Sequence, residues 1–454
     1  MVTRKQSLRI GGGSACPGER IEPAIELIEK GEIDYIAFDS LSEPELSAFV
    51  KHKMSHPDEG YDTYTERRLR AILPLCAEHG VKVLGNMGGA NPLAAHALAL
   101  DTARRIGLQG TKVATVVGDD VLGLVKELNP EVEGSNKRAL DFGDALIAAH
   151  AYIPADSMIA ALAEGADLVI AGRVGDASLF LAPMMHEFGW ADDDWDRMAM
   201  GIVVGHLMEC AGQLSGGYYA DPPYKVVPDL HKIGFPIAEV TDDADVLITK
   251  VDGSGGLVSR GTCAEQMLYE VHDPANYIGA DVVTDLSDVD FKDVGPNRVA
   301  VTGTVKGKPK PDMLKVNLSV TEGVIAEGSL FYAGPGALER AKLAAEIIRK
   351  RLELVVDFKG QGLRFDLLGV NALYGPPESD ATPVPWEVGL RVTARAAERD
   401  EAWKVMHELE TIDNNGPAAI GRALRKEDVR EVVAYFPTFV PRERVPTDFR
   451  IEDA

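Results

Sequence analysis

Four short apolar runs in the first half of the chain each lead straight into a polar or glycine-rich stretch. Residues 8–10 run into Gly11-Gly12-Gly13-Ser14, and residues 81–84 into Gly85-Asn86-Met87-Gly88-Gly89-Ala90-Asn91-Pro92. Residues 112–117 run into Gly118-Asp119-Asp120, and residues 167–171 into Gly172-Arg173-Val174-Gly175-Asp176. The pattern predicts four β-strands, each followed by a turn that opens a helix. Further strands are predicted over 33–38, ending at Asp39-Ser40, and over 145–152. Asn91 as N-cap with Pro92 at the first helical position predicts a helix from 92 to about 106. A second helix, 154–164, is closed by Gly165. Strands alternating with helices imply βαβ crossovers and a parallel sheet. The expectation is an N-terminal α/β domain, Rossmann-like with an open sheet, whose turns gather on the carboxyl edge where ligands bind.

From about Arg197 a largely apolar helix is predicted to run to 215, where Gly216-Gly217 ends it. The passage from Asp221-Pro222-Pro223 to Pro228 reads as a link. Beyond it the texture changes. Residues 299–305, 314–320 and 324–332 read as consecutive strands of period-two character, followed by a helix over 337–352. Residues 389–394, 398–410 and 432–436 repeat a strand–helix–strand pattern. This predicts an α+β domain, for which a ferredoxin-like arrangement is one candidate, and domains of 1–234 and 235–454.

Composition narrows the classes. Of 454 residues, 45% are hydrophobic and 26% charged, which is an ordinary globular balance and excludes wholesale disorder. The net charge of −24, spread along the chain, opposes nucleic acid and anionic membrane as partners, since both need a basic footprint. No apolar run reaches about 18 residues, so no membrane span is expected. The first residues show no signal-peptide pattern, and Cys16, Cys76, Cys210 and Cys263 form no CxxC pair. Both observations point to reduced thiols and the cytoplasm.

The sharpest chemical signal is His206, Glu209, Cys210 and Gln213, which share one face of an otherwise apolar helix. Such a stripe is either satisfied in a packed interface or lines a cavity. The functional reading gives His206 and Glu209 acid–base roles and Gln213 a substrate contact. Arg173 could clamp a carboxylate, while Asp176 could be a general base or a helix N-cap. The turns at Gly12, Gly13 and Ser14, and at Asn86, Gly89 and Asn91, offer backbone donors for an oxyanion or phosphate, although glycine also serves tight packing. A third glycine-rich loop, with Lys250, Gly255 and Gly256, leads to Arg260 and to Thr262 as a helix N-cap; it suits an anionic ligand or a plain turn. Neither GxGxxG nor GxxxxGK[ST] occurs. Asp119-Asp120 with Asp39 could bind a divalent cation, but Asp119 as an N-cap is simpler, and no metal is expected. No cofactor is indicated. Cys16 is a candidate nucleophile of lower rank.

Together these stretches resemble the acyclic terpene utilisation (AtuA-like) family. The resemblance lies in Gly11-Gly12-Gly13-Ser14, in the 85–92 stretch, and in Ala171-Gly172-Arg173-Val174-Gly175-Asp176-Ala177-Ser178-Leu179-Phe180-Leu181-Ala182-Pro183. It continues in Gly205-His206-Leu207-Met208-Glu209-Cys210-Ala211-Gly212-Gln213, Gly216-Gly217-Tyr218-Tyr219-Ala220-Asp221-Pro222, Gly234-Phe235-Pro236-Ile237-Ala238-Glu239 and Glu265-Gln266-Met267-Leu268-Tyr269-Glu270. One departure is His150, where the resemblance leads one to expect asparagine. The resemblance implies catabolism of branched, unsaturated acyclic compounds, with intermediates that are often acyl-CoA esters. Larger members resemble this chain with an added small ferredoxin-like domain, so a separate partner of that kind is expected, along with homo-oligomerisation.

The leading expectation is hydration or dehydration of a small or branched unsaturated carboxylic acid or its acyl-CoA thioester, by proton abstraction. On this reading Glu209→Gln and Arg173→Ala keep the fold and lose turnover. The alternatives are a thioester or lactone hydrolase using Cys16 or an activated water, and a non-catalytic subunit of a complex.

Overall fold

A computed structural model describes residues 5–373, 375, 385–421 and 428–454. The chain forms two compact units, one of residues up to Ser319 together with Tyr435–Ala454, the other Val320–Ala434. In the larger unit the elements begin β1 (Ser7–Ser14), α1 (Glu22–Lys30), β2 (Tyr35–Phe38), α2 (Glu43–Ser55), α3 (Thr65–His79), β3 (Lys82–Gly85) and α4 (Pro92–Arg105). They continue with β4 (Lys112–Val117), α5 (Leu122–Leu128), β5 (Leu146–Ala151), α6 (Asp156–Ala163), β6 (Leu168–Ile170), α7 (Ser178–Phe188) and α8 (Trp195–Met208). Then follow β7 (Pro236–Thr241), β8 (Val246–Lys250), α9 (Arg260–Leu268), β9 (Tyr277–Ile278), β10 (Val283–Gly295), β11 (Arg298–Lys308) and the start of β12 (Met313–Ala333).

The predicted strand at 112–117 and the helix beginning at Pro92 form as expected, because in both the apolar pattern and the end signals agree. β1, β2, β3, β6 and β4 lie side by side in that order and are parallel. Their residues are buried on both faces, which is why they read as continuous apolar runs. Helices α1, α3 and α4 cover one face, packing Leu27, Ile72 and Ala99 against Phe38, Val83 and Ile170. α6 and α7 pack against strands of the same set and each other, and α8 packs on α7 and on β7, β10 and β11. α7 and α8 are apolar nearly all round because both are enclosed.

The sheet does not stop at β1. β7 pairs antiparallel with β1, and β8, β11, β10 and β9 extend it to eleven strands, ending at the other side with the C-terminal strand. The boundary expected at 234/235 therefore falls inside the sheet, since Ile237 and Ala238 pair with Gly11 and Ile10. Residues 145–152 do form a strand, but β5 pairs with β12 and not within the parallel set. Its last residue is followed by Tyr152, whose N–H donates to the Lys315 carbonyl at 2.9 Å.

The smaller unit takes the rest of β12, then α10 (Ala337–Leu354), β13 (Gln361–Leu368), β14 (Glu387–Ala396), α11 (Arg399–Asn415), β15 (Ile420–Gly421) and part of β16 (Asp428–Pro441). The strands expected at 314–320 and 324–332 are one continuous strand. β13, β14 and β12 are antiparallel neighbours, β16 also pairs β12, and α10 and α11 bury Ile348, Leu352, Val405 and Leu409 with Leu390 and Val392. β17 (Asp448–Asp453) returns to the larger unit and pairs with β4. Among the described residues no helix is long and apolar enough to cross a membrane.

Candidate active site at the carboxyl edge

The carboxyl ends of the parallel strands carry polar residues that meet. β2 ends at Phe38, and the next residue, Asp39, accepts a hydrogen bond from Asn86 Nδ2 at 2.6 Å, just beyond β3. Asn86 Oδ1 accepts from the Ser40 N–H at 2.7 Å, and Ser14 Oγ at the end of β1 donates to the Asp39 carbonyl at 2.7 Å. Beyond β6, the Arg173 N–H donates to Asp119 Oδ2 at 2.8 Å, which ties in the end of β4. Ser14, Ser40, Asn86, Asp119 and Arg173 are buried, and Asp39 is partly exposed.

The glycines before Ser14 belong to β1 rather than to a turn, contrary to expectation. They answer to packing. A Cβ on Gly12 would stand 2.7 Å from the Met208 carbonyl oxygen, and one on Gly13 would stand 2.7 Å from the Phe38 ring. Bare backbone in β1 thus lets the end of α8 close on the sheet and brings Glu209 to its edge. Gly12→Ala is expected to destabilise by about 1–3 kcal/mol, the usual cost of overpacking, as read by urea unfolding. An unchanged midpoint would contradict this role.

Glu209 follows the last turn of α8, which stops at Met208 instead of running to 215. Residues 211–213 make a short 3-10 turn, with Ala211 at φ 40°. His206 and Glu209 nevertheless keep their one-turn spacing, and Glu209 Oε1 lies 3.0 Å from His206 Nδ1. Tyr277 Oη lies 3.3 Å from the same nitrogen. Burial opposes charge on His206, but the hydrogen bond and charge of Glu209 outweigh it and hold the imidazole above its usual range. The site pairs this group with Asp39. Burial, reinforced by the charge of Glu209 and opposed by that of Arg173, pushes the Asp39 carboxyl up to about 7.

Arg173 is fully enclosed, and most of its donors are spoken for. Nε donates to the Val174 carbonyl at 2.9 Å, Nη2 donates to the same carbonyl at 2.6 Å and also to Asp176, and Nη1 donates to the Leu41 carbonyl. Its guanidinium lies 4.3 Å from the centre of the Tyr152 ring, whose other near cation is Lys315 Nζ at 4.5 Å. Tyr152 and Lys315 both donate to Glu43 at the start of α2, Lys315 at 2.8 Å. Burial would raise the Glu43 carboxyl, but these donors bring it down to about 2. Arg173 is thus a fixed cation beside Asp39 rather than an open carboxylate clamp, and Asp176 is its ion-pair partner rather than a cap on α7.

A family model described as "Acyclic terpene utilisation family protein AtuA" matches residues 8–451, a span that holds every residue of this site. The chain belongs to the AtuA family. No curated protein and no solved structure matches it. In this AtuA family member the other predicted anion sites are closed. The N–H groups of Gly88, Gly89, Ala90 and Asn91 all bond backbone carbonyls, and Asn91 Nδ2 holds the Pro57 and Glu59 carbonyls. Lys250 Nζ donates to Ser254, while Gly255 and Gly256 donate to the Lys232 and Pro228 carbonyls. Ser259, not Thr262, caps α9. Burial and then Glu19 raise the Cys16 thiol, the opposite of activation. Among the described residues no group of three His, Cys, Asp or Glu is arranged to hold a metal ion, so Asp39 and Asp119-Asp120 form no ligand set.

Gln213 lies in the wall of a pocket with Tyr218, Tyr219, Gln266 and Tyr269, whose lining includes neither Asp39 nor Glu209. Sequence reasoning missed Tyr152, Glu43, Lys315 and Tyr277. Glu43 alone had a usable signal: it sits four residues beyond Asp39, in the first turn of the helix that leaves the sheet edge.

Proposed function

We propose that this AtuA family chain is an acid–base enzyme that adds water to, or removes it from, a branched unsaturated acyclic compound. The observation that carries the reading is the pair of carboxyls, Asp39 and Glu209, held in unlike surroundings at one sheet edge. A carboxyl that keeps its proton near neutral pH can donate to a leaving hydroxyl, while a second one paired with an imidazolium can take a proton from carbon. In dehydration the C–O bond breaks as Asp39 gives its proton, and water leaves. Glu209 takes the proton from the adjacent carbon, and the C–H electrons become the double bond. Hydration reverses each transfer. Carboxylic acids and their acyl-CoA thioesters fall within this reaction class, and the family description supports an acyclic terpene-derived skeleton.

Catabolism in the cytoplasm and assembly as a homo-oligomer belong to the same proposal. With the two-residue β15 set aside, the β–α–β–β–α–β order of the smaller unit supports reading it as ferredoxin-like. The test is incorporation of solvent deuterium and isotopic oxygen into branched acyclic enols and enoates by the purified protein. Glu209→Gln is expected to cut incorporation by about 10²-fold or more. Wild-type incorporation in that variant would overturn the reading.

A further inference from the structure

Tyr218, Tyr224, Val226 and Leu268 are 77%, 86%, 72% and 69% exposed, and they share one face of the larger unit. Tyr218 and Leu268 line the pocket already described, together with Tyr219 and Tyr269. Tyr224 and Val226 flank Lys225, whose Nζ lies 4.7 Å from the centre of the Tyr219 ring and pairs with Glu265 in the same wall. Single exposed apolar side chains are ordinary, but a contiguous set marks a contact surface. These four expose roughly 600 Å², against about 800 Å² per partner in a stable interface.

The face holds a projection and a hollow. The projection is the turn at 221–225, where the Tyr224 and Lys225 N–H groups both donate to the Asp221 carbonyl at 2.8 Å. The Asp221 N–H donates to the Lys225 carbonyl at 2.9 Å and closes the turn. Pro222 and Pro223 fix two φ angles inside it, so Tyr224 is presented at little cost in chain entropy. The hollow is the pocket, with a volume of about 240 Å³. That is several times the roughly 30 Å³ share of one water and suits one aromatic side chain. Tyr218 and Tyr269 meet edge-on there with centroids 6.2 Å apart, so an entering ring finds aromatic walls.

Charge selects the occupant. Between residues 217 and 228 the only charged side chains are Asp221 and Lys225, and Lys225 is paired with Glu265. A chain of net charge −24 meets least repulsion from its own copy at such a near-neutral face. Interface centres are likewise poor in charge and rich in tyrosine. A basic partner would gain more on the acidic surface elsewhere. A projection and a hollow on one face satisfy each other across a two-fold axis, whereas an unrelated partner must supply a match for each.

We propose that this face joins two copies of the chain about a two-fold axis, with Tyr224 of each copy entering the tyrosine-walled pocket of the other. The proposal rests on the homo-oligomer named above and assigns its surface.

Sedimentation equilibrium of the full chain tests it, and the parent chain is expected to run as a dimer. Tyr224→Asp and Leu268→Arg are each expected to weaken dimerisation by at least about thirtyfold, the effect of losing one interface hot spot. Both side chains lie outside the core, so the far-ultraviolet circular dichroism of each variant should match the parent. An equal mixture of the two variants is expected to regain dimers. One intact tyrosine then meets one intact pocket, and in the other contact an acid meets a base. A monomeric parent chain would overturn both the surface and the homo-oligomer. A dimer that tolerates both substitutions would overturn the surface and leave the homo-oligomer standing. Loss in both variants with no recovery on mixing would overturn the exchange of tyrosines.

Discussion

Asp39→Asn is expected to lower kcat by about 10²–10⁴-fold while leaving the fold in place. Asparagine matches the shape and keeps Oδ1 as an acceptor for Asn86 Nδ2, so the hydrogen bond at 2.6 Å survives. What disappears is the proton. The same substitution changes how stability depends on pH, and the sign follows from the shift. The carboxyl keeps its proton in the folded state up to about 7 but loses it near 3.8 when unfolded. Over that interval the folded state binds the extra proton, so stability falls as pH rises. Asp39→Asn should remove this part of the decline and be at least as stable as the parent chain above neutral pH. Turnover of the parent chain in the dehydrating direction should fall as pH rises through the same value, because the donor is then ionised. Steady-state rates and thermal unfolding from acid to mildly alkaline pH check both. Full activity in Asp39→Asn would remove the acid from the scheme.

Arg173→Ala is expected to destabilise the chain by about 3–5 kcal/mol, the usual cost of breaking a buried ionic arrangement on one side. This replaces the expectation, drawn from sequence, that the fold would survive the change. The side chain is 1% exposed and satisfies the Val174 and Leu41 carbonyls as well as Asp176, so its removal strands buried acceptors and leaves Asp39 without its nearest cation. Arg173→Lys keeps the charge but replaces a planar five-donor fork with a point cation, so an intermediate loss is expected. Urea unfolding of both variants measures the effect. A wild-type midpoint for Arg173→Ala would mean that the network around Tyr152 is not what holds this corner of the sheet.

The two variants show what a sequence can and cannot reveal here. The strand at Lys112–Val117 and the helix from Pro92 were legible because a short apolar run or a proline-marked start is a local signal. His206 and Glu209 were legible for the same reason, since their spacing is one helical turn and survives even though α8 stops at Met208. The meeting of Tyr152 and Lys315 on Glu43 was not, because it joins positions 109 and 272 residues apart. The continuation of the sheet through β7 and β8 was hidden in a similar way: their apolar runs fit an edge or a centre equally well, and pairing with β1 decides the matter. Glycine was the least informative residue. At Gly12 and Gly13 it marks close approach of α8 and Phe38, at Gly256 a positive φ of 89°, and at none of them an open anion cradle.

Infrared difference titration of the carboxyl stretch, with Asp39→Asn and Glu209→Gln as controls, bears most directly on the pairing of Asp39 with Glu209. The expected result is a protonated-carboxyl band that titrates near 7, vanishes in Asp39→Asn and moves to lower pH in Glu209→Gln, where a neighbouring negative charge is gone. A carboxyl at position 39 that ionises in the ordinary range, about 3.9, and ignores Glu209→Gln would contradict a shared acid–base centre.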